Sequence, residues 1–256
     1  MKNFGLIGNP LSHSWSKDYF DHRFQDEHIS DCSYQLYPLD SLDGLREFVS
    51  RHRLAGFNVT IPFKKAIIPL LDQLTPQAQL IGAVNCVKAT QNGNSLHLVG
   101  HNTDQPAFHD TFAPLYSQLA ETSHLTDHSA LVLGNGGASQ AVVFTLQQMG
   151  IPYQTLSHTD IDTMRATRAL PPTIEQLPSV IINATPVGMY PNCDESPLPA
   201  NLAHPSPMLV YDLVYNPAET RLLHDFSSPG FLLRNGLPML HRQADLSWTF
   251  WNAPGD

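Results

Sequence analysis

The sequence predicts an α/β fold in two parts, and three observations predict it. The first half alternates segments of strand and helix character. Near residue 130 the pattern restarts, with an apolar strand running into a glycine turn and a helix. The last helical segment is apolar on more than one face, which requires burial.

In chain order, "NFGLIG" reads as a strand and "SKDYFDHRFQDEH" as an amphipathic helix begun at a serine cap. "SYQLYPL" is strand-like, "SLDGLREFVSRH" has apolar residues at helical spacing behind a serine, and "LAGFNVT" is a third strand. Strand, helix, strand, helix, strand implies a parallel sheet. "GAVNCVKATQNGNSLHLVG" then reads as two strands joined by a turn near Asn92-Gly93. The polar stretch Glu121–Ser129 lacks periodicity and is the candidate linker. After "ALVLGNGGASQAVVFTLQQMG", the strands "PYQTLS", "SVIINAT" and "MLVYDLV" follow. "PAETRLLHDF" is a helix with Pro217 suited to its first turn, and "LPMLHRQADLSWTFW" is the final helix. Asp160 to Pro178 is short and interrupted by prolines, so a reduced helix or irregular connection is expected there.

Composition narrows the function classes. The chain has 256 residues, 42% apolar and 14% charged, enough for a sizeable core. A net charge of -9 argues against nucleic acid as a partner, because phosphate backbones need basic patches. No run of about 18 apolar residues exists, so no membrane span is expected. "MKNFGLIGNP" is broken too soon by Gly8 and Pro10 to act as a signal peptide. Cys32, Cys86 and Cys193 are widely spaced, which fits reduced thiols in a cytoplasmic setting. The 13 histidines are scattered without metal-site spacing, so no metal is expected. No motif speaks to oligomeric state.

Two stretches carry chemistry. Gly134-Asn135-Gly136-Gly137-Ala138-Ser139 lies between a strand and a helix. There Gly134 permits a tight turn, Gly136 lets the backbone approach a pyrophosphate, and the helix N-terminus offers amide donors. The alternative is a tight turn without ligand, and Ser139 stands where the usual fingerprint has Gly or Ala. The second stretch is "FNVTIPFKKAIIPLL", where Lys64 and Lys65 follow a strand end with no acid before Asp72. Either this is a solvated turn, or a lysine reaches into a polar site.

Together with Pro10-Leu11-Ser12-His13-Ser14-Trp15-Ser16, Gly82-Ala83-Val84-Asn85, Asn102-Thr103-Asp104 and "NGLPMLHRQA", these motifs resemble the shikimate dehydrogenase family, in order from near residue 5 to near residue 251. The resemblance implies a substrate domain over 1–103, joined by a C-terminal helix, 238–256, that returns to it. It implies a Rossmann-like nucleotide domain over 104–237. It also implies reversible reduction of 3-dehydroshikimate to shikimate with NADPH, a step in aromatic amino-acid and chorismate biosynthesis. By motif position, Lys64 and Asp104 look like the catalytic pair, with Lys65 as a spare. Ser14, Ser16 and Tyr215 look like donors to the substrate carboxylate. Asn58, Thr60, Asn85 and Gln243 look like partners of the ring hydroxyls, which a buried polyol needs. The glycine turn, Ser157, His158 and Thr159, and Asn183, Thr185, Pro186, Val187, Gly236 and Met239 look like cofactor neighbours.

Each residue also has a plainer reading: helix capping for Ser14, Ser16 and Asp104, an exposed lysine for Lys64, a turn for Asn58 and Asn85, a strand end for Thr60, a buried-strand aromatic for Tyr215, a solvated helix face for Gln243, and core filling for Met239.

The sequence departs from the family at the second nucleotide-domain strand. The usual Asn-Arg-Thr, whose arginine holds the 2′-phosphate of NADP, is here Ser157-His158-Thr159. Histidine carries charge only when protonated. Arg165 and Arg168 follow and could reach back, and no acid sits at the strand end itself to mark NAD. NADP is therefore the cofactor the resemblance implies, with NAD possible. Lys17 replaces a common proline, and Gln105-Pro106-Ala107 replaces the usual glycines. Two alternatives stay open: an NAD-linked quinate/shikimate dehydrogenase, and a non-catalytic ligand-binding regulator of the same fold.

Overall fold

The structure, a computed structural model, describes residues 1–11, 14–93, 95–123, 128–199, 202–206 and 208–254. The chain divides into two units, Met1–Asp104 with His241–Asp256, and Gln105–Leu240.

The first unit is built on a six-stranded sheet in the order β2-β1-β3-β5-β6-β4. β1 (Lys2–Gly8), β2 (Cys32–Pro38) and β3 (Leu54–Val59) run parallel, linked by α1 (Ser16–Asp26) and α2 (Leu45–His52). This is the strand–helix alternation that the sequence shows. The sheet as a whole is mixed, however. β5 (Cys86–Asn92) pairs antiparallel with β3, and β6 (Ser95–His101) antiparallel with β5. The short β4 (Gln73–Leu74) lies parallel to β6 at the edge. Two reversals bring β6 back to the direction of β1 and β3. The ends of β1, β3 and β6 and the start of β5 therefore share one edge of the sheet. Short helical turns, α3 (Phe63–Ala66) and α4 (Pro76–Ile81), fill the connections there.

The final helix, α9 (Leu237–Asn252), has most of its length in this first unit. Trp251 stacks on Phe4 at 4.8 Å between ring centroids, and Trp248 meets Phe4 edge-on at 5.4 Å. Phe20 of α1 stacks on Tyr34 at 4.4 Å in the same cluster. Gly56 in β3 makes the approach possible, since a Cβ there would lie 2.4 Å from the Trp251 ring. The indole Nε1 then donates to the Val87 carbonyl at 3.0 Å.

The second unit is a five-stranded parallel sheet in the order β11-β10-β9-β7-β8. Its strands are β7 (Ala130–Leu133), β8 (Tyr153–Leu156), β9 (Val180–Asn183), β10 (Leu209–Asp212) and β11 (Leu232–Arg234). β7, β9 and β10 are buried throughout, as expected for central parallel strands. The chain moves outward from β7 in opposite directions to β8 and to β9, so the switch point lies between β7 and β9, where such sheets bind ligands. The helices are α5 (Asp104–Thr122), α6 (Gly137–Gln148), α7 (His158–Thr167) and α8 (Arg221–Asp225). No helix among the described residues is long and apolar enough to cross a membrane.

Several local expectations are corrected. Ser16 does not cap α1; it is the first helical residue, and the Ser14 hydroxyl accepts its amide at 3.3 Å. Pro217 lies ahead of α8, whose cap is Thr220, accepting the Leu223 amide at 3.3 Å. Residues 157–159 do not extend β8. Ser157 and Asp160 form a reciprocal capping box that starts α7 at His158, so the strand stops at Leu156. The connection after β8 accordingly holds a 10-residue helix followed by irregular chain. In the segment read as a linker, the first residues finish α5, and 124–127 lie outside the described residues. The two units divide at Asp104/Gln105 and at Leu240/His241.

Candidate functional site

In the first unit the shared sheet edge gathers the polar motifs. Lys64 follows β3 on α3, and its Nζ donates to Asp104 Oδ2 at 2.7 Å. Both side chains are largely shielded, at 14% and 7% exposure. Lys65, its neighbour, is exposed. Asp104 begins α5 just past β6, and its second oxygen, Oδ1, accepts from Asn85 Nδ2 at 2.8 Å. Asn85, at the start of β5, also donates to Thr103 Oγ1 at 2.9 Å and accepts the Thr103 amide at 2.7 Å. A carboxylate fixed through both oxygens, one to an ammonium and one to an amide, has its orientation set before any ligand arrives.

The network continues inward. Asn58 Nδ2 donates to the Asn85 carbonyl at 3.1 Å and to Ser247 Oγ of α9 at 2.8 Å. Its Oδ1 accepts from the Tyr34 hydroxyl at 2.9 Å. Burial pushes the Tyr34 phenol well above its ordinary value, which keeps it a donor; Ser16 stands against the same hydroxyl. Ser247 Oγ also lies 3.2 Å from Thr103 Oγ1. One connected set thus runs Ser16, Tyr34, Asn58, Ser247, Thr103, Asn85, Asp104, Lys64. Ser14 and Thr60 are half-buried at the same edge. Gln243 is half-buried one turn before Ser247 on α9, and its carbonyl accepts the Ser247 hydroxyl at 2.8 Å.

The amide donors of Asn58 and Asn85 are both fully used inside the protein. What each can still offer a ligand is an acceptor position on Oδ1. Tyr34, Thr103 and Ser247 are members that motif reading did not assign. Thr103 lies inside the Asn102-Thr103-Asp104 motif and Ser247 sits i+4 from Gln243, whereas Tyr34 has no local signal.

In the second unit the glycine turn follows β7 at the switch point. Gly134 has φ +107°, a left-handed conformation suited to glycine. A Cβ on it would come within 3.0 Å of Thr185 and 3.1 Å of the Ala184 carbonyl, so the turns after β7 and β9 are in close approach. Gly136 caps α6, and a Cβ there would meet nothing within 4 Å. That open cradle over a helix N-terminus fits a pyrophosphate. Ser139, the departure from the fingerprint, is accommodated: its hydroxyl donates to the Gly134 carbonyl at 2.7 Å and closes the turn. Asn135 is exposed, Gly137 and Ala138 half-buried.

After β9, Asn183 is fully buried. Its Nδ2 donates to Asp212 at 2.8 Å and its Oδ1 accepts the Thr185 amide and hydroxyl at 3.0 and 2.6 Å. Its side chain shapes the following turn, leaving Pro186 exposed and Val187 half-buried. Gly236 is required by packing, since a Cβ there would fall 2.0 Å from the Leu213 carbonyl oxygen. Met239 is buried, and Tyr215 is half-buried just past β10. His158 and Thr159 are exposed at the first turn of α7, with Ser157 half-buried. Arg165 is held by Glu195 at 2.7 Å. Arg168 ends α7, roughly 15 Å along the helix from His158, too far to share a phosphate with it.

The family model for the shikimate dehydrogenase substrate binding domain matches residues 6–87. The shikimate dehydrogenase (NADP(+)) of Shouchella clausii is 33% identical over 98% of this chain and 92% of its own length. That of Thermus thermophilus is 35% identical, over 98% and 92%. The crystal structure of a Thermus thermophilus shikimate 5-dehydrogenase in complex with NADP(H) and shikimate superposes with a TM-score of 0.77, at 32% identity, covering 99% of this chain and 94% of that one. The Listeria monocytogenes enzyme in complex with shikimate and NAD gives 0.69 at 26% identity, over 99% and 92%. By full-length sequence similarity, supported by the matching fold, the chain belongs to the shikimate dehydrogenase family.

Proposed function

We propose that this protein interconverts shikimate and 3-dehydroshikimate with NADP, as a step of aromatic amino-acid biosynthesis. The observation that carries the reading is the Lys64–Asp104 pair, 2.7 Å apart and clamped by Asn85, in a chain alike to NADP-dependent shikimate dehydrogenases over nearly its whole length. NADP supplies the hydride acceptor for alcohol oxidation, and NADPH the donor for the reverse. The protein's part is the proton. The Lys64–Asp104 pair, acting as a unit, takes up the proton of the reacting hydroxyl as the hydride leaves, and returns it to the forming alkoxide in reduction. Asn85 holds Asp104 to this task, and Asn58 with Ser247 holds Asn85.

The unit Met1–Asp104 with His241–Asp256 is the substrate side and Gln105–Leu240 the cofactor side. Ser14, Ser16 and Tyr215 receive the substrate carboxylate, while Thr60, Gln243 and the free acceptor positions of Asn58 and Asn85 meet the ring hydroxyls. Gly134 to Ala138 cradle the pyrophosphate on the α6 N-terminus. Ser157, His158 and Thr159 take the adenosine end. Thr185, Pro186, Val187, Gly236 and Met239 frame the ribose and nicotinamide, on a turn that the buried Asn183 holds from behind. Three unpaired thiols suit a reducing, cytoplasmic setting.

The test is turnover of the purified protein with shikimate or quinate, each with NADP or NAD, followed by absorbance of the reduced nicotinamide. Highest efficiency with shikimate and NADP supports the reading. Preference for quinate with NAD would move the protein to the quinate/shikimate branch, and ligand binding without turnover would make it a regulator.

A further inference from the structure

Asp212 ends β10 with 0% exposure and has no part in the proton chemistry. Its carboxylate is pulled on from three directions. Asn183, ending β9, donates to Oδ1 at 2.8 Å. The Val214 amide, in the turn after β10, donates to the same oxygen at 3.0 Å. Thr220, the cap of α8, donates to Oδ2 at 2.6 Å. Two of these partners pass the constraint on. Asn183 Oδ1 holds Thr185 through two bonds, and Asn183 Nδ2 reaches the Val187 carbonyl at 3.3 Å. Val214 immediately precedes Tyr215, and its carbonyl accepts the Gly236 amide at 3.0 Å.

All three partners are neutral. Burying a carboxylate among neutral groups is costly, and an apolar side chain would fill the same core volume without that cost. What a side-chain oxygen at 212 adds is an acceptor that holds the Asn183 and Val214 donors at once, which an apolar side chain cannot do. We infer that Asp212 is a positioning residue which sets the turn 184–187 and the Val214–Tyr215 turn together, so that cofactor and substrate carboxylate meet loops ordered by one buried group. The inference rests on the proposed roles of Asn183–Val187 and Tyr215.

The experiment uses the full chain. It measures NADPH dissociation by nucleotide fluorescence without substrate, KM for shikimate, and thermal melting, in wild type, Asp212→Asn, Asp212→Ala and Asn183→Ala. Asn at 212 keeps Oδ1 for Asn183 and Val214, so both constants should stay within about threefold of wild type. Asp212→Ala should weaken NADPH binding tenfold or more and also raise the shikimate KM. Asn183→Ala cuts only the arm to 184–187 and should weaken NADPH more than shikimate; it decides the matter if Asp212→Ala does not fold. A lower melting temperature in Asp212→Ala with both constants unchanged would overturn the inference, as would Asn183→Ala leaving NADPH binding intact. Wild type that binds no NADPH would overturn the functional reading and the inference with it. Normal wild-type binding and turnover with unaffected variants would sink the inference alone.

Discussion

Replacing Asp212 by Asn should erase a pH dependence of stability that the fold carries between about pH 4 and pH 6. Burial pushes the Asp212 carboxyl from 3.8 up to about 6, against the lowering pull of hydrogen bonds from Thr220, Val214 and Asn183. The folded protein therefore keeps this proton over a range in which the unfolded chain has already lost it. The unfolded state binds fewer protons there, so stability falls as pH rises. The contribution is fully present below 3.8 and is lost once pH passes about 6. A gap of about two pH units at ~1.4 kcal/mol each gives a loss of about 3 kcal/mol. Asparagine is nearly isosteric. It keeps Oδ1 for Asn183 and Val214, and the Thr220 hydroxyl can turn from donor to acceptor, so the variant removes the titration and little else.

Tryptophan fluorescence would miss this, because Trp15, Trp248 and Trp251 all lie in the first unit. Amide hydrogen exchange in β9 and β10, compared between variant and wild type at each pH, reads the correct unit. The two proteins should agree near pH 4, and the variant should be more stable by about 3 kcal/mol near pH 7. A difference that stays constant across this range would mean that Asp212 does not titrate there.

Three other outcomes follow from the geometry. Ser247→Ala removes the hydroxyl that meets Asn58 and Thr103, and should cost about 1–3 kcal/mol of stability in denaturant unfolding; no loss would mean those contacts are not made in solution. Gly134→Ala should lower the melting temperature, because it forces a side chain onto φ +107°, whereas Gly136→Ala, whose Cβ enters open space, should spare melting and weaken NADPH binding in a fluorescence titration. His158→Arg should raise the ratio of NADP to NAD efficiency by about 1–2 kcal/mol, the scale of a charge-assisted bond, and an unchanged ratio would place the 2′-phosphate elsewhere.

What the sequence disclosed was mostly local. The spacing of apolar residues in α1, α2 and α9 and the strand–glycine–helix order at 130–150 are patterns within a dozen or so neighbours, and they foretold elements that the structure contains. The capping box at Ser157-x-x-Asp160 was equally legible, yet the strand reading ran through it to Thr159. The hidden part was non-local. Asn58 meets Ser247 across 189 positions, and no periodicity in either segment encodes that pairing. Gly56 looks like a weakness in a strand until Trp251 is packed on it. Asp212 reads as the polar end of an apolar strand, because its partners come from β9, the turn after β10 and the cap of α8. The reversal at β5 likewise escaped the alternation, since strand direction depends on pairing and not on composition.

Lys64→Ala, assayed for shikimate oxidation with NADP beside wild type and Lys65→Ala, isolates the proton transfer assigned to the Lys64–Asp104 pair. Loss of one acid–base group should lower turnover by roughly two to four orders of magnitude. The KM for shikimate should change far less, and the exposed Lys65 should be replaceable with little effect. A folded Lys64→Ala protein that retains near-wild-type turnover would show that Lys64 is not the acid–base group.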